Sequence, residues 1–229
     1  MAIEVSDQAL HSAQSLFLKL KEAFPSYAAD FDTKWQRWQQ AISPTSDPST
    51  WSSVAEFDAL VALGPKAIPL VLWKLAMNLE DVTAIYLYNK LEKDTAYLVN
   101  DNHLTHQVSG VLEKNFKRNR LIRNALLDWA EHCDMVARQR SSAFYTECEE
   151  YEQLVKLGPS VIPQFMLRYK KKDGPLFGYE LLHEILWGYQ TEQESVNLDA
   201  QYKMWAEWFE KNNYDQAPHH ARVPRRAGA

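Results

Sequence analysis

A seven-residue motif that occurs twice limits the possible folds more than any other feature of the sequence. Residues 63–69 read LGPKAIP and residues 157–163 read LGPSVIP, so that Gly64 returns as Gly158, 94 positions later. Each copy predicts a corner between two helices, because glycine suits the left-handed position after one helix and the proline behind it prevents continuation. The second proline of each copy suits the first turn of the next helix, where no amide partner is needed.

The same offset of 94 aligns a much longer part of the chain. Without a gap it places Trp35 on Trp129, and it extends the match to residues 27–93 and 121–187 with apolar residues at corresponding positions. A repeat of this length holds three or four helices, and stacked units of that kind bury a continuous core between neighbours. We therefore predict an all-α fold built from two pseudo-repeated helical units, without β-strands.

The remaining segments complete a single predicted domain over residues 1–213. An amphipathic N-terminal helix is expected to cap the repeats. Residues 43–53, rich in Ser, Thr, Pro and Asp, are expected to form a loop, and residues 94–120 a connecting segment. A short apolar stripe indicates a closing helix over residues 199–212, whereas residues 214–229 have no apolar periodicity and are expected to be disordered.

Composition and charge exclude some classes of protein. A hydrophobic content of 46% over 229 residues is enough to fill a sizeable core. The formal net charge of −5 argues against a surface devoted entirely to nucleic acid. No apolar run approaches the roughly 20 residues that span a bilayer, and the N-terminus, with Glu4 and Asp7, does not read as a secretory signal. We therefore expect a cytoplasmic protein without membrane contact.

Neither cysteine predicts a metal site. Cys133 and Cys148 have no partner at metal-ligand spacing, so the sequence favours two inert thiols in a reducing compartment. His132 falls on the position of Trp38 in the first copy and is interpreted as a core histidine. Because neighbours on a helix point apart, His132 cannot readily activate Cys133. We predict no metal and no cofactor.

The stretch from Tyr179 to Trp187 carries the strongest functional pattern. In the first copy, the face beside the apolar stripe carries Tyr86, Asn89, Lys90 and Lys93, whereas the matching face in the second copy carries Glu180, His183, Glu184 and Trp187. Two carboxylates and an imidazole within one helical turn can hold a cation or act as a general acid and base. The alternative is an ordinary exposed helix face with an i,i+4 pair.

Three of these side chains are the predicted catalytic residues. We expect Glu180, His183 and Glu184 to line a cavity between the two units, because a tryptophan on the same face is poorly suited to open water. The predicted substrate-binding residues are Lys90, Trp187 and Tyr179.

A basic cluster in the second half of the chain is a candidate nucleic-acid surface. It comprises Lys114, Lys117, Arg118, Arg120 and Arg123. A local patch of this kind is sufficient for phosphate contacts even on an acidic protein. The alternative is a solvated helix face.

Two resemblances follow from these motifs. The sequence Leu-Gly-Pro-x-x-Ile-Pro before an apolar helix resembles the interhelical corner of HEAT-like repeat proteins, which implies a helical solenoid and no particular activity. The paired tryptophans, the Ser-Ser segment, the two Leu-Gly-Pro corners and the residues YELLHEIL from Tyr179 resemble fungal helical proteins, and the family implied is the arginine-containing cyclodipeptide synthases. These enzymes condense arginine delivered by its tRNA with a second amino acid. The resemblance assigns no catalytic residue.

Two classes of function are therefore open. One is an aminoacyl-tRNA-dependent enzyme that binds a small, cationic, amino-acid-like substrate, with aminoacyl-tRNA as its partner. The other is a non-catalytic HEAT-like scaffold with a protein partner. Another small-molecule biosynthetic enzyme is a third alternative.

Overall fold

The computed structural model describes residues 5–43, 47–99, 104–137, 143–171, 177–191 and 197–219. All regular secondary structure within these ranges is helical, which confirms the predicted all-α class. Where the sequence analysis expected one domain over residues 1–213, the structure divides into two compact units. The first comprises Met1–Arg120 with Phe209–Asp215, and the second comprises Leu121–Trp208 with Gln216–Ala229.

The described part of the first unit contains six α-helices that end before residue 92, and the first of them is the predicted capping helix. Ser6 begins α1, because its hydroxyl accepts a hydrogen bond from the Ala9 amide at 3.2 Å. α1 packs against α2 and α5, α2 packs against α4, and α6 packs against α4 and α5. Their bounds are Asp7–Ala23 (α1), Pro25–Ile42 (α2), Pro48–Trp51 (α3), Ala55–Val61 (α4), Ile68–Met77 (α5) and Val82–Leu91 (α6).

A long helix, α7, spans Leu104–Met135 and belongs to the first unit up to Arg120 and to the second beyond it. In the described residues beyond it there are five more α-helices: Ala143–Thr146 (α8), Glu149–Leu157 (α9), Ile162–Lys170 (α10), Gly178–Trp187 (α11) and Leu198–Lys211 (α12). The predicted connecting segment 94–120 was not expected to be helical, but from Leu104 onward it is part of α7. The buried face of α7 is apolar from Val108 to Leu112 and again from Ile122 to Cys133, with the buried polar residues Asn115 and Arg118 between these two stretches. The predicted loop 43–53 likewise contains α3.

The two Leu-Gly-Pro corners have the same backbone. Gly64 has φ 68° and ψ −168°, and Gly158 has φ 64° and ψ −149°. Positive φ is confirmed, but ψ places both residues in the extended mirror region, which is almost restricted to glycine, and not in the left-handed helical region. A 3₁₀ turn spans Pro65–Ala67 in the first corner and Gly158–Val161 in the second, and α5 and α10 begin directly after these turns with a proline in the first turn.

In each unit a buried tryptophan donates an indole hydrogen bond to the backbone carbonyl of a short helix. In the first unit, Trp38 Nε1 donates to the carbonyl oxygen of Trp51 at 2.9 Å. In the second, Trp129 Nε1 donates to the carbonyl oxygen of Tyr145 at 2.7 Å. Trp51 and Tyr145 are 94 residues apart, so the acceptor positions match, whereas Trp38 corresponds to His132.

The predicted disordered tail is wrong for its first residues. Tyr214–Gln216 forms a 3₁₀ turn, and the Tyr214 amide donates to the carbonyl oxygen of Ala62 at 2.8 Å. Ala217 is buried, and the half-buried Tyr214 side chain packs against Gly64, which explains this structure in a segment that lacks helical periodicity. Residues 220–229 lie outside the described residues.

In the part of the chain that the structure describes, no single helix has both the length and the apolar character needed to cross a membrane. Taken together, the bent pair Ala55–Val61 and Pro65–Met77, which meet at 87°, satisfies that requirement by length and composition alone.

Candidate functional site

The polar face of α11 is covered by the chain that follows it. Gly188, with φ 77° and ψ 15°, adopts the left-handed conformation that ends the helix. The chain then turns back as Tyr189, Gln190 and Thr191, which we call the return segment. Each of these residues forms a hydrogen bond with a side chain of the predicted catalytic face.

Glu180 holds the end of the return segment. Its carboxylate is 1% exposed and accepts hydrogen bonds from the Thr191 amide, at 2.6 Å, and from the Thr191 hydroxyl group. Burial raises the pKa of Glu180, and the bonds from Thr191 oppose that rise. With both carboxylate oxygens bonded inside the protein, Glu180 does not line the cavity that the sequence analysis predicted.

His183, like Glu180, is buried and forms a hydrogen bond with the return segment. The ring is fully buried, and Nδ1 donates to the carbonyl oxygen of Tyr189 at 2.9 Å. The Tyr189 ring packs edge-on against it, with 4.8 Å between centroids. The prediction that His183 lines a cavity is therefore wrong, because the return segment covers the imidazole.

Glu184 is the member of the trio that reaches a cavity. Its Oε2 accepts hydrogen bonds from the Tyr151 hydroxyl group and from Gln190 Nε2, both at 2.9 Å. The cavity has a volume of about 590 Å³ and lies in the second unit. Besides Glu184 it is lined by residues of α8, α9 and the return segment: Thr146, Glu147, Cys148, Glu149, Tyr151, Glu152, Val155, Lys156 and Gln190.

The cavity is acidic. Four carboxylates line it against the single ammonium group of Lys156, and that ammonium group lies 3.6 Å from Glu152. Among the described residues, no lysine, arginine or histidine forms an ion pair with Glu184. Burial, followed by the negative charge of Glu184, raises the pKa of Tyr151, so this hydroxyl group stays a neutral donor. The arrangement suits a ligand that carries positive charge.

The predicted substrate-binding residues do not meet at this cavity. Tyr179 is fully buried, and burial together with Glu180 raises its pKa. Trp187 Nε1 donates to the carbonyl oxygen of Pro218 at 3.3 Å, and its ring packs edge-on against His219 at 4.6 Å. Lys90 is exposed on α6, in the first unit. Residues 218–219, which were predicted to be disordered, thus cover the tryptophan that had indicated a pocket.

The basic cluster divides into exposed and buried members. Lys114, Lys117, Arg120 and Arg123 are exposed on α7. Each successive member is three residues further along the helix, which turns its side-chain direction by about 60°. Lys114 and Arg123 therefore point to opposite sides of α7, and only neighbouring members of the cluster share a face. Arg118 is 3% exposed and forms an ion pair with Glu92 at 2.7 Å, and its guanidinium group stacks on the Tyr97 ring at 3.9 Å. Its prediction as a phosphate contact is wrong.

Several residues of the site were missed in the sequence. Cys148 was predicted to be an inert thiol, and the sequence analysis assigned no functional role to Tyr151 or Gln190. The signal that could have found them is Gly188 directly after the helix, because a left-handed ending folds the next residues back over the preceding turn. Cys148 also lies close to His132 and Glu150, and these three side chains are the ones in the described residues with an arrangement suited to a metal ion.

Comparison of the chain with protein-family models, with curated proteins and with solved structures gave no match.

Proposed function

We propose that the second unit binds a small cationic ligand, a guanidinium or alkylammonium compound, at Glu184. The observation that carries this proposal is a half-buried carboxylate in an acidic cavity with two neutral donors and no paired cation among the described residues. Both neutral donors bond to Oε2, and Oε1 is the oxygen to which a ligand N–H group can donate. A charge-assisted bond of this kind is stronger than a neutral one and favours a cation over its uncharged analogue.

The substrate class that we propose is arginine, presented by its tRNA for condensation into a cyclic dipeptide. In that reaction the amino group of one aminoacyl ester attacks the ester carbonyl of the other and releases a tRNA hydroxyl group, and a second aminolysis closes the ring. Glu184 would hold the guanidinium group. The exposed cations of α7 support a phosphate contact, because they place up to four positive charges on a protein whose net charge is −5.

We also propose that residues 27–93 and 121–187 are HEAT-like pseudo-repeats, of which the second supplies most of the residues that line this cavity. The shared dihedral angles of Gly64 and Gly158 support this relationship. The shared burial of Phe57 with Tyr151 supports it as well.

Calorimetry with arginine and with citrulline tests the binding site. Citrulline has almost the same shape without the charge, so we expect it to bind at least about 10-fold more weakly than arginine. Glu184→Gln should abolish the preference, whereas Glu152→Gln, which alters an exposed carboxylate of the same cavity, should retain it. Equal binding of the two compounds, or an unchanged preference in Glu184→Gln, would show that the cation site lies elsewhere.

A second experiment tests the aminoacyl-tRNA step. Arginyl-tRNA and a second aminoacyl-tRNA are incubated with the protein, and the products are analysed by mass spectrometry for a cyclic dipeptide. Lys117→Ala with Arg120→Ala should weaken tRNA binding and flatten its salt dependence by about one unit per lost phosphate contact. A double variant of equal charge change, Lys19→Ala with Lys203→Ala, is the control. No product and no salt-dependent binding would favour the non-catalytic scaffold.

A further inference from the structure

A histidine, a cysteine and a glutamate come together beside the cavity. His132 lies near the end of α7, Cys148 is the residue before α9, and Glu150 lies in the first turn of α9. One ligand atom from each, a ring nitrogen, the thiol sulfur and a carboxylate oxygen, lies within 4.8 Å of the other two. All three side chains are half-buried, so a metal ion from solvent can reach them.

We infer that His132, Cys148 and Glu150 form a binding site for a divalent transition-metal ion, with zinc the best match. A thiolate, an imidazole and a carboxylate are all ligands that Zn²⁺ accepts. The thiolate disfavours Mg²⁺ and Ca²⁺, which prefer oxygen ligands. The inference does not depend on cation binding at Glu184.

The hydrogen bond of His132 fixes the tautomer of the ring and leaves one nitrogen free to bind a metal ion. Nε2 lies 2.9 Å from the carbonyl oxygen of Phe144, and because a carbonyl only accepts, Nε2 carries the proton. The neutral ring then has its lone pair on Nδ1. Metal-ligating histidines commonly donate their other N–H group to a backbone carbonyl, which fixes the ring orientation and raises the basicity of the ligand nitrogen. This bond therefore fixes the orientation of the ring.

Cys148 is the residue before α9, and its sulfur atom lies close to the His132 ring and to the Glu150 carboxylate. A thiol that coordinates a divalent cation loses its proton and becomes the thiolate ligand. Metal binding is therefore expected to release a proton and to strengthen as the pH rises.

Closure of the site requires only small movements. With bonds of about 2.0–2.3 Å, the ligand atoms of a tetrahedral zinc ion lie about 3.5 Å apart, so each pair must approach by little more than about 1 Å. The half-exposed Glu150 side chain can rotate to supply this movement. Three protein ligands leave one position of the tetrahedron for water or another ligand. Because Cys148 also lines the cavity, that position has open space nearby.

Cobalt substitution tests the inference on the full chain. The reduced protein is titrated with Co²⁺, and we expect a thiolate-to-cobalt charge-transfer band that saturates at one ion per chain and disappears when Zn²⁺ is added. Cys148→Ser should remove the band. His132→Gln and Glu150→Gln should each weaken cobalt binding at least about 10-fold, the lower limit seen when even an outer-shell partner is lost.

Two matched variants separate this site from other sources of a metal signal. Glu149→Gln changes the exposed neighbour of Glu150 and should bind cobalt as the unmodified protein does. Cys133→Ala removes the other thiol and should keep the band; far-ultraviolet circular dichroism confirms that each variant is folded. No band at saturating cobalt, or a band that persists in Cys148→Ser or is unaffected by both His132→Gln and Glu150→Gln, overturns the inference.

Discussion

The two Leu-Gly-Pro corners share a backbone but have different surroundings. A Cβ atom at position 64 would clash with the Tyr214 side chain, whereas at position 158, chain neighbours aside, no atom of the described residues lies within 4 Å of such a Cβ atom. The next difference is at the matched positions Lys66 and Ser160. Lys66 is fully buried and donates to two backbone carbonyls, whereas the Ser160 hydroxyl donates locally to the Leu157 carbonyl at 2.8 Å. The repeated sequence thus specifies the same backbone conformation at both corners. The surroundings of each corner depend on which side chains pack against it.

The matched helices α6 and α11 also differ in the residues that pack on them. In α6 the Asn89 amide group both donates to and accepts from the Val99 backbone, at 2.9 Å in each case. At the matched position in α11, His183 binds the carbonyl of Tyr189. Both side chains bind the backbone of the segment that follows their helix, but these two segments take different paths. The divergence that suggested a catalytic histidine therefore reflects two different ways to cover a helix.

The largest expected difference between the two stretches comes from the Arg118 network. Arg118 bonds to Glu92 at 2.7 Å and to Asn115 at 2.6 Å, and Asn115 bonds to the Tyr88 hydroxyl group at 2.9 Å. In the second stretch, leucines occupy the positions of Tyr88 and Glu92, residues 182 and 186. We expect Arg118→Ala to lower the free energy of unfolding by about 3–5 kcal/mol, because it leaves a buried carboxylate unpaired.

Urea denaturation measures this effect, and Arg120→Ala is its control. Arg120 is exposed two residues along the same helix, and its substitution should change the free energy of unfolding by no more than about 0.5 kcal/mol. Equal effects of the two substitutions would contradict the structural assignment of Arg118.

The second expected difference is a pH dependence that only the first corner has. Burial, and then the charge of Lys34, lower the pKa of Lys66 to about 7, while Asp30 opposes the shift. Between this value and the ordinary lysine value of 10.5, the unfolded chain binds a proton that the folded chain has lost. The free energy of unfolding therefore rises with pH above about 7, by up to about 1.4 kcal/mol per pH unit.

Denaturation between about pH 6 and 9.5 measures that rise, below the range in which buried tyrosines titrate. Lys66→Met, which keeps the length of the side chain without the charge, should remove the lysine contribution to the slope. Ser160→Ala at the matched position should leave the slope unchanged. A slope that survives in Lys66→Met would assign it to another group.

The third difference concerns the two glycines. At position 158 an alanine would lower the free energy of unfolding only through backbone strain, by about 1–3 kcal/mol. Alanine at position 64 meets the same strain and also displaces the Tyr214 ring, which adds about 1–3 kcal/mol of overpacking. We expect Gly64→Ala to lower the unfolding midpoint in urea more than Gly158→Ala. Equal midpoints would mean that residues 214–216 do not pack on the first corner in solution.

The sequence predicted those features that depend on near neighbours in the chain. The glycine corners, the start of α5 at Ile68 and the capping helix all follow from local backbone preferences and helical periodicity. The full length of α7 was missed because the repeat offset was given more weight than the apolar stripe that continues from Val108. Repeat alignment fails at such a place, since an insertion has no counterpart to align with.

The candidate site was only partly predictable for the same reason. Glu184 was identified because it lies on the face that diverges between the copies, but Tyr151 and Gln190 reach it from other segments. Whether a carboxylate faces a cavity or its own backbone depends on where the chain runs after Gly188. No periodicity within α11 contains that information. The grouping of His132 with Cys148 and Glu150 likewise depends on how α7 packs beside α9 and not on ligand spacing in the sequence.

The smallest expected difference separates two carboxylates on one helix. In Glu180→Gln the amide oxygen can accept from the Thr191 amide, and the NH2 group then faces the Thr191 hydroxyl group, which has to turn and accept. Two buried charge-assisted hydrogen bonds become neutral ones, and we expect a loss of about 1–2 kcal/mol in the free energy of unfolding. In Glu184→Gln one amide oxygen can still accept from both Tyr151 and Gln190, and the change should stay within about 0.5 kcal/mol. Thermal and urea denaturation of the two variants, compared with their arginine binding, separate the roles: Glu180 should affect stability, and Glu184 should affect the ligand. If Glu184→Gln is the more destabilising of the two, the carboxylate serves the packing of α9 against α11, and its place in the cavity no longer supports a binding role.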